Sequence, residues 1–485
     1  MVTLHLSGQQ DRYGAADLLR LFFCGPVEEQ DDRLVCAGPD LEISCSIDPD
    51  EDLFRVRTRL GAWTLSGQVM SRKARRESKR QLYQLLARAT GRQFPWGSLT
   101  GIRPTLIAAE CLAESQDREK ALRLLVDDWF VSPEKADLAL ETALSERQVL
   151  EQVPPDSLLV YIGIPFCPTR CSYCSFITRE APSRPTLLEP YVTALTDEIR
   201  GFFSQIRQPV DALYIGGGTP TTLSAGQLAR LFDAVRAFVP LAAGAEITVE
   251  AGRPDTIDAA RLEVLRHSGV NRLCINPQTF HDQTLVRIGR RHNVAQMTAA
   301  WQLAREMGFD HLNLDLIAGL PGETPPDLAD SLDQALALRP DSLTLHALAI
   351  KRSSALHEEQ VRTGASEADL QPDWGEAVSA ARRTLAAAGL APYYLYRQKQ
   401  TIGSLENTGF ALPGKACRYN VAMMSDQRSV IGLGSGAMSK IVCGNRVVRI
   451  PSPRSLDIYL ERAGVLAAQK AAALLAVTTG ATLSL

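Results

Sequence analysis

At 485 residues the chain is too long for one ordinary hydrophobic core, so two or three domains are expected. Apolar residues make up 45% and charged residues 22%, the balance of a water-soluble globular protein. Lys and Arg total 52 against 55 Asp and Glu, a formal charge of -3 that argues against a general nucleic-acid or polyanion binder.

The opening MVTLHLSGQQDRYGAADLLR lacks the basic and apolar regions of a signal peptide. Residues 1–153 mix strand-like runs (LEISCSI, LFRVRTRL, AWTLSGQV) with later helical stretches, and read as an N-terminal α+β domain. Residues 71–92 carry eight basic residues and one acidic residue. At helical spacing Leu82, Tyr83, Leu85, Leu86 and Ala89 form an apolar side, and the basic side reads as a solvated face. Pro104 stands near the first turn of another helix, and the Pro154–Pro155 pair marks a boundary.

From 154 to 390 the pattern changes. Short β-rich runs at 158–164, 211–216, 246–251, 272–276, 311–317 and 342–348 alternate with amphipathic stretches at 188–206, 224–238, 256–268, 294–307 and 327–338, with another at 372–388. Such alternation implies right-handed crossovers and a parallel sheet. Six units are too few for a closed eight-fold barrel. The expectation is an α/β fold with an open six-stranded (β/α)6 partial TIM-type barrel, its chemistry at the C-terminal strand ends. Residues 391–485, rich in Tyr, Gly and polar groups, read as an irregular C-terminal cap and tail. Arg462, Gln469 and Lys470 interrupt or flank the Ala-rich tail, so no membrane span is expected. Ten cysteines are too sparse for a disulfide scaffold and point to a reducing cytoplasm.

The most informative segment is YIGIPFCPTRCSYCSF, directly after the first strand, with Cys167, Cys171 and Cys174 spaced C-x3-C-x2-C. Three close thiolates suit a soft metal or an iron–sulfur cluster. Structural zinc takes four ligands, and His267 and Cys274 lie far along the chain. A 4Fe–4S cluster on three cysteines keeps one iron open for a non-protein ligand. The second strand ends in YIGGGTPTTL, where residues without Cβ let backbone approach a small polar ligand. EITVEAGRPDTI places Glu250 at the end of the third strand, RLCINPQTFHDQTLVRIGRRHN supplies Gln278 and Arg290, and LNLDLIAGLPGET supplies Asp315.

These motifs resemble those of the radical S-adenosylmethionine (SAM) superfamily, more specifically its oxygen-independent coproporphyrinogen III dehydrogenase (oxidase)-like branch, over about residues 158–445. The resemblance implies a 4Fe–4S cluster on Cys167, Cys171 and Cys174, and SAM on its open iron. It implies SAM contacts at Tyr161, Tyr173, Gly217, Gly218, Thr219, Glu250, Gln278, Arg290, Asp315 and, by spacing, Ala349. One electron into the cluster would cleave the sulfonium to methionine and a 5′-deoxyadenosyl radical. The implied reaction is oxidative decarboxylation of coproporphyrinogen III propionates to vinyl groups, giving protoporphyrinogen IX. The implied partners are this tetrapyrrole and an electron-donor protein such as flavodoxin or ferredoxin, with no nucleic acid. Haem delivery and another radical reaction on a tetrapyrrole are the alternatives. The chain departs from the better-understood enzyme type at Gly163, where that type has histidine, and at Phe176, where it has a further cysteine.

The other thiols, Cys24, Cys36, Cys45, Cys111 and Cys274, read as ordinary free or core groups. Cys417 and Cys443 fall in the expected cap. His292 and His346 read as structural, and with His357 are weak candidates for a haem ligand. Arg397, Lys399, Arg418 and Lys440 make the cap basic, in reach of propionates or solvated.

Overall fold

The structure, a computed structural model, describes all residues except 9–10, 24, 102, 175–178, 182–184, 352–353, 359–373, 399–400, 445 and 479–485. Cys24, Phe176 and Lys399 thus lie outside the described residues. Two compact units are present, Met1–Leu144 and Ser145–Leu485. The division falls inside the helix Pro133–Gln152 rather than at Pro154–Pro155. The end of that helix belongs to the second core, where Val149, Leu150 and Val153 pack with Leu159, Ala212 and Val430.

In the first unit a six-stranded sheet runs in the order Val27–Gln30, Arg33–Cys36, Val2–Gly8, Leu41–Asp50, Leu53–Leu60, Trp63–Val69. Alternation sets its faces: Ile43, Cys45 and Ile47 are buried while Glu42 and Ser44 face water. The helices Arg12–Phe23 and Ser71–Thr90 join the same core, the latter through Leu82, Tyr83, Leu85 and Leu86. The second helix stops at Gly91, whose φ of 68° makes the left-handed cap that glycine favours. Its basic side carries ion pairs, Lys73 with Glu114 at 2.8 Å, Arg76 with Glu110 at 2.5 Å and Lys79 with Asp11 at 3.5 Å.

In the second unit six strands pair in parallel and in chain order: β1 (Leu158–Ile164), β2 (Val210–Gly217), β3 (Leu241–Glu250), β4 (Arg272–Cys274), β5 (Leu312–Ala318) and β6 (Ser342–Ala347). This is the open (β/α)6 arrangement. Side chains alternate across it: Leu158, Val160, Ile162 and Ile164 pack outward with the helices, whereas Leu159 and Tyr161 join the inner group of Tyr214 and Tyr419. Local signals start the helices. Ser224 with Gln227 and Asn293 with Gln296 form capping boxes ahead of Ala225–Phe238 and Val294–Glu306, and the Asp258 side chain caps Ala259–His267.

The expectation of irregular structure after residue 390 needs correction. Strands β7 (Ala391–Arg397) and β8 (Glu406–Ala411) extend the sheet antiparallel beyond β6. Strand β9 (Val430–Leu433) pairs parallel with β1, followed by β10 (Met438–Cys443) and β11 (Arg446–Pro451). An open parallel sheet has two edges with unpaired backbone groups, and the C-terminal segment pairs with both. The Ala-rich tail forms the helix Leu456–Thr478, whose Leu466, Ala467 and Leu474 share the core with Ile199 and Phe202. Lys470 on this helix donates to Glu198 at 2.6 Å, with both side chains fully buried. Among the described residues no helix is long and apolar enough to cross a membrane.

Candidate cofactor site at the barrel mouth

Parallel strands in chain order bring their C-terminal ends to one rim, and the expected residues gather there. Strand β1 leads through Phe166 to Cys167, whose Sγ lies 3.5 Å from Thr219 Oγ1. Cys171 is buried and Cys174 partly so, with Cys174 N–H donating to Cys171 O at 3.1 Å. Burial pushes the Cys167 thiol up to about 11, against the downward pull of Thr219; Cys174 and Cys171 add to the rise. A bound metal's positive charge would reverse this. Structural zinc takes four protein ligands, whereas each iron of a cluster takes one thiolate, so a loop offering three thiols fits a cluster with one open iron better than one zinc ion.

The glycine run forms a cradle. A Cβ on Gly216 would lie 2.7 Å from Glu250 Oε2, and one on Gly218 would lie 2.5 Å from Phe166 O. Gly217 has φ +107°, and a Cβ there would meet the Tyr161 hydroxyl at 3.1 Å. Two bonds stitch the cradle to the cysteine strand, Gly218 N–H to Ile164 O and Thr219 N–H to Phe166 O, each 2.7 Å. Glu250 accepts from Tyr214 OH at 2.5 Å and from Gly217 N–H at 3.2 Å. Burial pushes Glu250 up to about 7; Tyr214 pulls it down, and the nearby Asp315 pushes it up. Beneath it Tyr161, Tyr214 and Tyr419 stack, with centroids 4.5–6.3 Å apart.

Gln278 follows β4 with φ +72°, held there by Gln278 N–H to Asp315 O and Ile317 N–H to Gln278 O, both 2.9 Å. Among the described residues its buried Oε1 has no hydrogen-bond partner. Arg290 is buried; Nη1 donates to Gly252 O at 3.2 Å and Nη2 to Tyr173 OH at 3.4 Å. Tyr173 packs with Ile317 and Leu348. Asp315 Oδ2 lies 3.6 Å from His346 Nε2. Ala349 lies just past β6, at the same end, bridged to Thr401.

Sequence reasoning missed two groups. Arg253 is buried, paired with Asp255 at 3.0 Å; its Nη1 donates to Thr169 Oγ1 at 2.9 Å and lies 3.9 Å from Cys171 Sγ. It thus braces the cysteine loop. Tyr214 orients Glu250. Signals existed: Arg253 closely follows Glu250, and Tyr214 shares the inward parity of Tyr161, its register partner.

The basic cap groups are engaged elsewhere. Arg418 grips Asp211 through two bonds of 2.8 and 2.9 Å, Lys440 donates to Ala422 O at 2.6 Å, and Arg397 donates to Ser404 O at 3.1 Å. Cys417 donates to Glu246 at 3.2 Å, well before the end of β3, and Cys443 is exposed on β10. Cys36, Cys45, Cys111 and Cys274 are buried. The side chain of His292 is wholly buried, and burial drives its imidazole down to about 3. At Gly163 a Cβ would lie 3.4 Å from Ser435 O, an ordinary contact distance.

Comparison with known proteins agrees with this geometry. The profile of the radical SAM superfamily matches residues 161–335. The oxygen-independent coproporphyrinogen-III oxidase-like protein HemZ of Bacillus subtilis is 36% identical over 393 residues, covering 78% of this chain and 76% of that protein. The heme chaperone HemW of Escherichia coli is 33% identical over 314 residues, covering 62% of this chain and 75% of that protein. Among solved structures, coproporphyrinogen III oxidase (HemN) from Escherichia coli, described as a radical SAM enzyme, superimposes with a TM-score of 0.53 at 25% identity, covering 67% of this chain and 73% of that one.

Proposed function

The chain belongs to the radical SAM superfamily, in its coproporphyrinogen III oxidase-like branch, and from that premise we propose that it removes carbon dioxide from the propionates of coproporphyrinogen III to leave vinyl groups. The family's 4Fe–4S cluster and SAM supply the radical that starts such chemistry. In this reading Cys167, Cys171 and Cys174 bind the cluster, and Arg253 steadies their loop. The Gly216–Gly218 backbone and Glu250 bind the amino-acid end of SAM. Gln278, Arg290, Tyr173 and Asp315 orient the remainder, and Ala349 flanks it. The barrel wall excludes water from the reacting atoms. An electron-donor protein of the flavodoxin or ferredoxin kind reduces the cluster.

One observation carries the reading: a side-chain-free cradle with a carboxylate at its edge stands beside the thiol loop, bonded to the strand that leads into it. The test is an anaerobic assay of reconstituted protein with SAM, a reductant and coproporphyrinogen III, read by mass spectrometry. Expected products are 5′-deoxyadenosine and a decarboxylated, vinyl-bearing porphyrinogen. Cofactor cleavage without decarboxylation would remove the substrate and keep the radical class.

Haem delivery is the second reading, favoured by the similarity to heme chaperones. It predicts tight haem binding, transfer to an acceptor and no decarboxylated product. The placement of His292, buried, and of His346, facing Asn407 and Asp315, does not favour either as a haem ligand.

A further inference from the structure

We infer that His346 stands at the barrel mouth as a doubly protonated imidazolium, a positioning residue that orients Asp315 and opposes the protonation of Glu250, so that the mouth suits a cationic sulfonium ligand. This deepens the SAM reading above and rests on it for the ligand.

The argument begins with Asn407 on β8. Its Oδ1 accepts the Ala347 N–H at 3.2 Å, and its Nδ2 donates to Tyr396 O at 3.4 Å. Two backbone groups therefore fix which way the amide points. That same Oδ1 lies 3.1 Å from His346 Nδ1, so Nδ1 must carry a hydrogen. The opposite nitrogen, Nε2, lies 3.6 Å from Asp315 Oδ2. In a neutral ring with its hydrogen on Nδ1, a bare Nε2 lone pair would face a carboxylate. A second proton turns that repulsion into an ion pair.

Every element around the ring contributes. Asp315 approaches from β5, its Oδ1 accepting from Asn313 Nδ2 at 2.9 Å. Glu250 approaches from β3 and Thr344, beside Asp315, from β6. Tyr396 on β7 places its hydroxyl 3.4 Å from Nδ1. Burial pulls the imidazole down, but its ion pairing with Asp315, aided by Asn407, raises it above the ordinary value. Burial pushes Asp315 up, yet its pairing with His346 leaves it below the usual range. Each carboxylate makes it harder for the other to ionise, and Asp315 pushes Glu250 up in this way. With His346 charged Asp315 stays anionic and the protonation of Glu250 is opposed, although burial still pushes that carboxyl up to about 7; once Glu250 ionises the trio carries one net negative charge, complementary to a sulfonium amino acid.

The sign of the test follows. Removing the cation raises the pKa of Glu250, and a protonated Glu250 cannot hold an ammonium group. The acid limb of SAM affinity should then move to higher pH in H346Q. N407L, which removes the Nδ1 acceptor, should move it the same way by less. Affinity is measured by calorimetry on the reconstituted, cluster-loaded protein. A purely structural role would lower affinity by one factor at every pH and leave the limb in place, which would overturn the inference. A second readout needs no ligand: nitrogen NMR of histidine-labelled protein, with the His346 signal assigned through H346Q. Both ring nitrogens should show imidazolium shifts near neutral pH, and a single-hydrogen tautomer there would overturn the inference. If wild-type protein fails to bind SAM, the functional reading fails, and the NMR measurement still decides the protonation of His346.

Discussion

Adding one methyl group at Gly218 tests the cradle directly. The new Cβ would lie 2.5 Å from Phe166 O and 2.9 Å from Ile164 O, where an unstrained contact needs roughly 3.5 Å. The obstructing atoms are backbone carbonyls, so no side chain can swing aside. Those two carbonyls also accept the 2.7 Å bonds from Thr219 N–H and Gly218 N–H. Relief therefore means moving the strand end that leads into Cys167, a shift of about 1 Å. Overpacking of this kind costs about 1–3 kcal/mol. If that cost falls on the ligand-ready geometry, SAM binding by G218A weakens about 5- to 150-fold. The control is G226A, in the first turn of Ala225–Phe238, where a Cβ meets nothing within 4 Å. It should leave SAM affinity unchanged and raise stability by about 0.5–1 kcal/mol. Calorimetric titration of cluster-loaded protein gives affinity, and thermal unfolding gives stability. G218A protein that binds SAM as tightly as wild type would refute the reasoning, whatever its melting temperature.

Three more perturbations have defined outcomes. C171A should lose the visible absorbance of the 4Fe–4S cluster after anaerobic reconstitution; a full, SAM-responsive cluster would contradict the ligand assignment. K470M strands the buried Glu198, which among the described residues keeps Tyr459 OH and Gly434 N–H at 2.8 Å, and should cost about 3–5 kcal/mol in denaturant unfolding. The double variant K470M/E198Q should recover most of that loss, and failure to do so would locate the cost in packing instead. Glu250, with a folded pKa pushed up to about 7, binds its proton more tightly folded than unfolded, so its contribution to stability falls as pH rises from about 4.5 to about 7. E250Q should remove that component from a series of melting temperatures across the window, and an unchanged slope would count against the buried carboxylate.

Much of the barrel was legible because each strand–helix unit carries its own signals. The run at 158–164 coincides with the observed strand, and capping boxes at Ser224 and Asn293 mark helix starts within a short window of sequence. The C-terminal strands were not legible in the same way. Tyr393, Tyr394, Glu406 and Asn407 are all buried, so β7 and β8 show no apolar–polar alternation, and their edge partners lie tens of residues away. The helix Leu456–Thr478 likewise depends on Glu198 for its buried lysine, a partner no local pattern announces.

The amino-acid order alone determined the thiol spacing, the glycine run and the succession of strands. Those are local properties, decided by neighbours along the chain. The tertiary structure decided which distant groups act on them: Arg253 beside Cys171, Tyr214 on Glu250, and Asn407 setting the hydrogen on His346. Closing those pairs requires the sheet to bring together residues from different strands, and a hydrogen bond acts only over the last few ångströms.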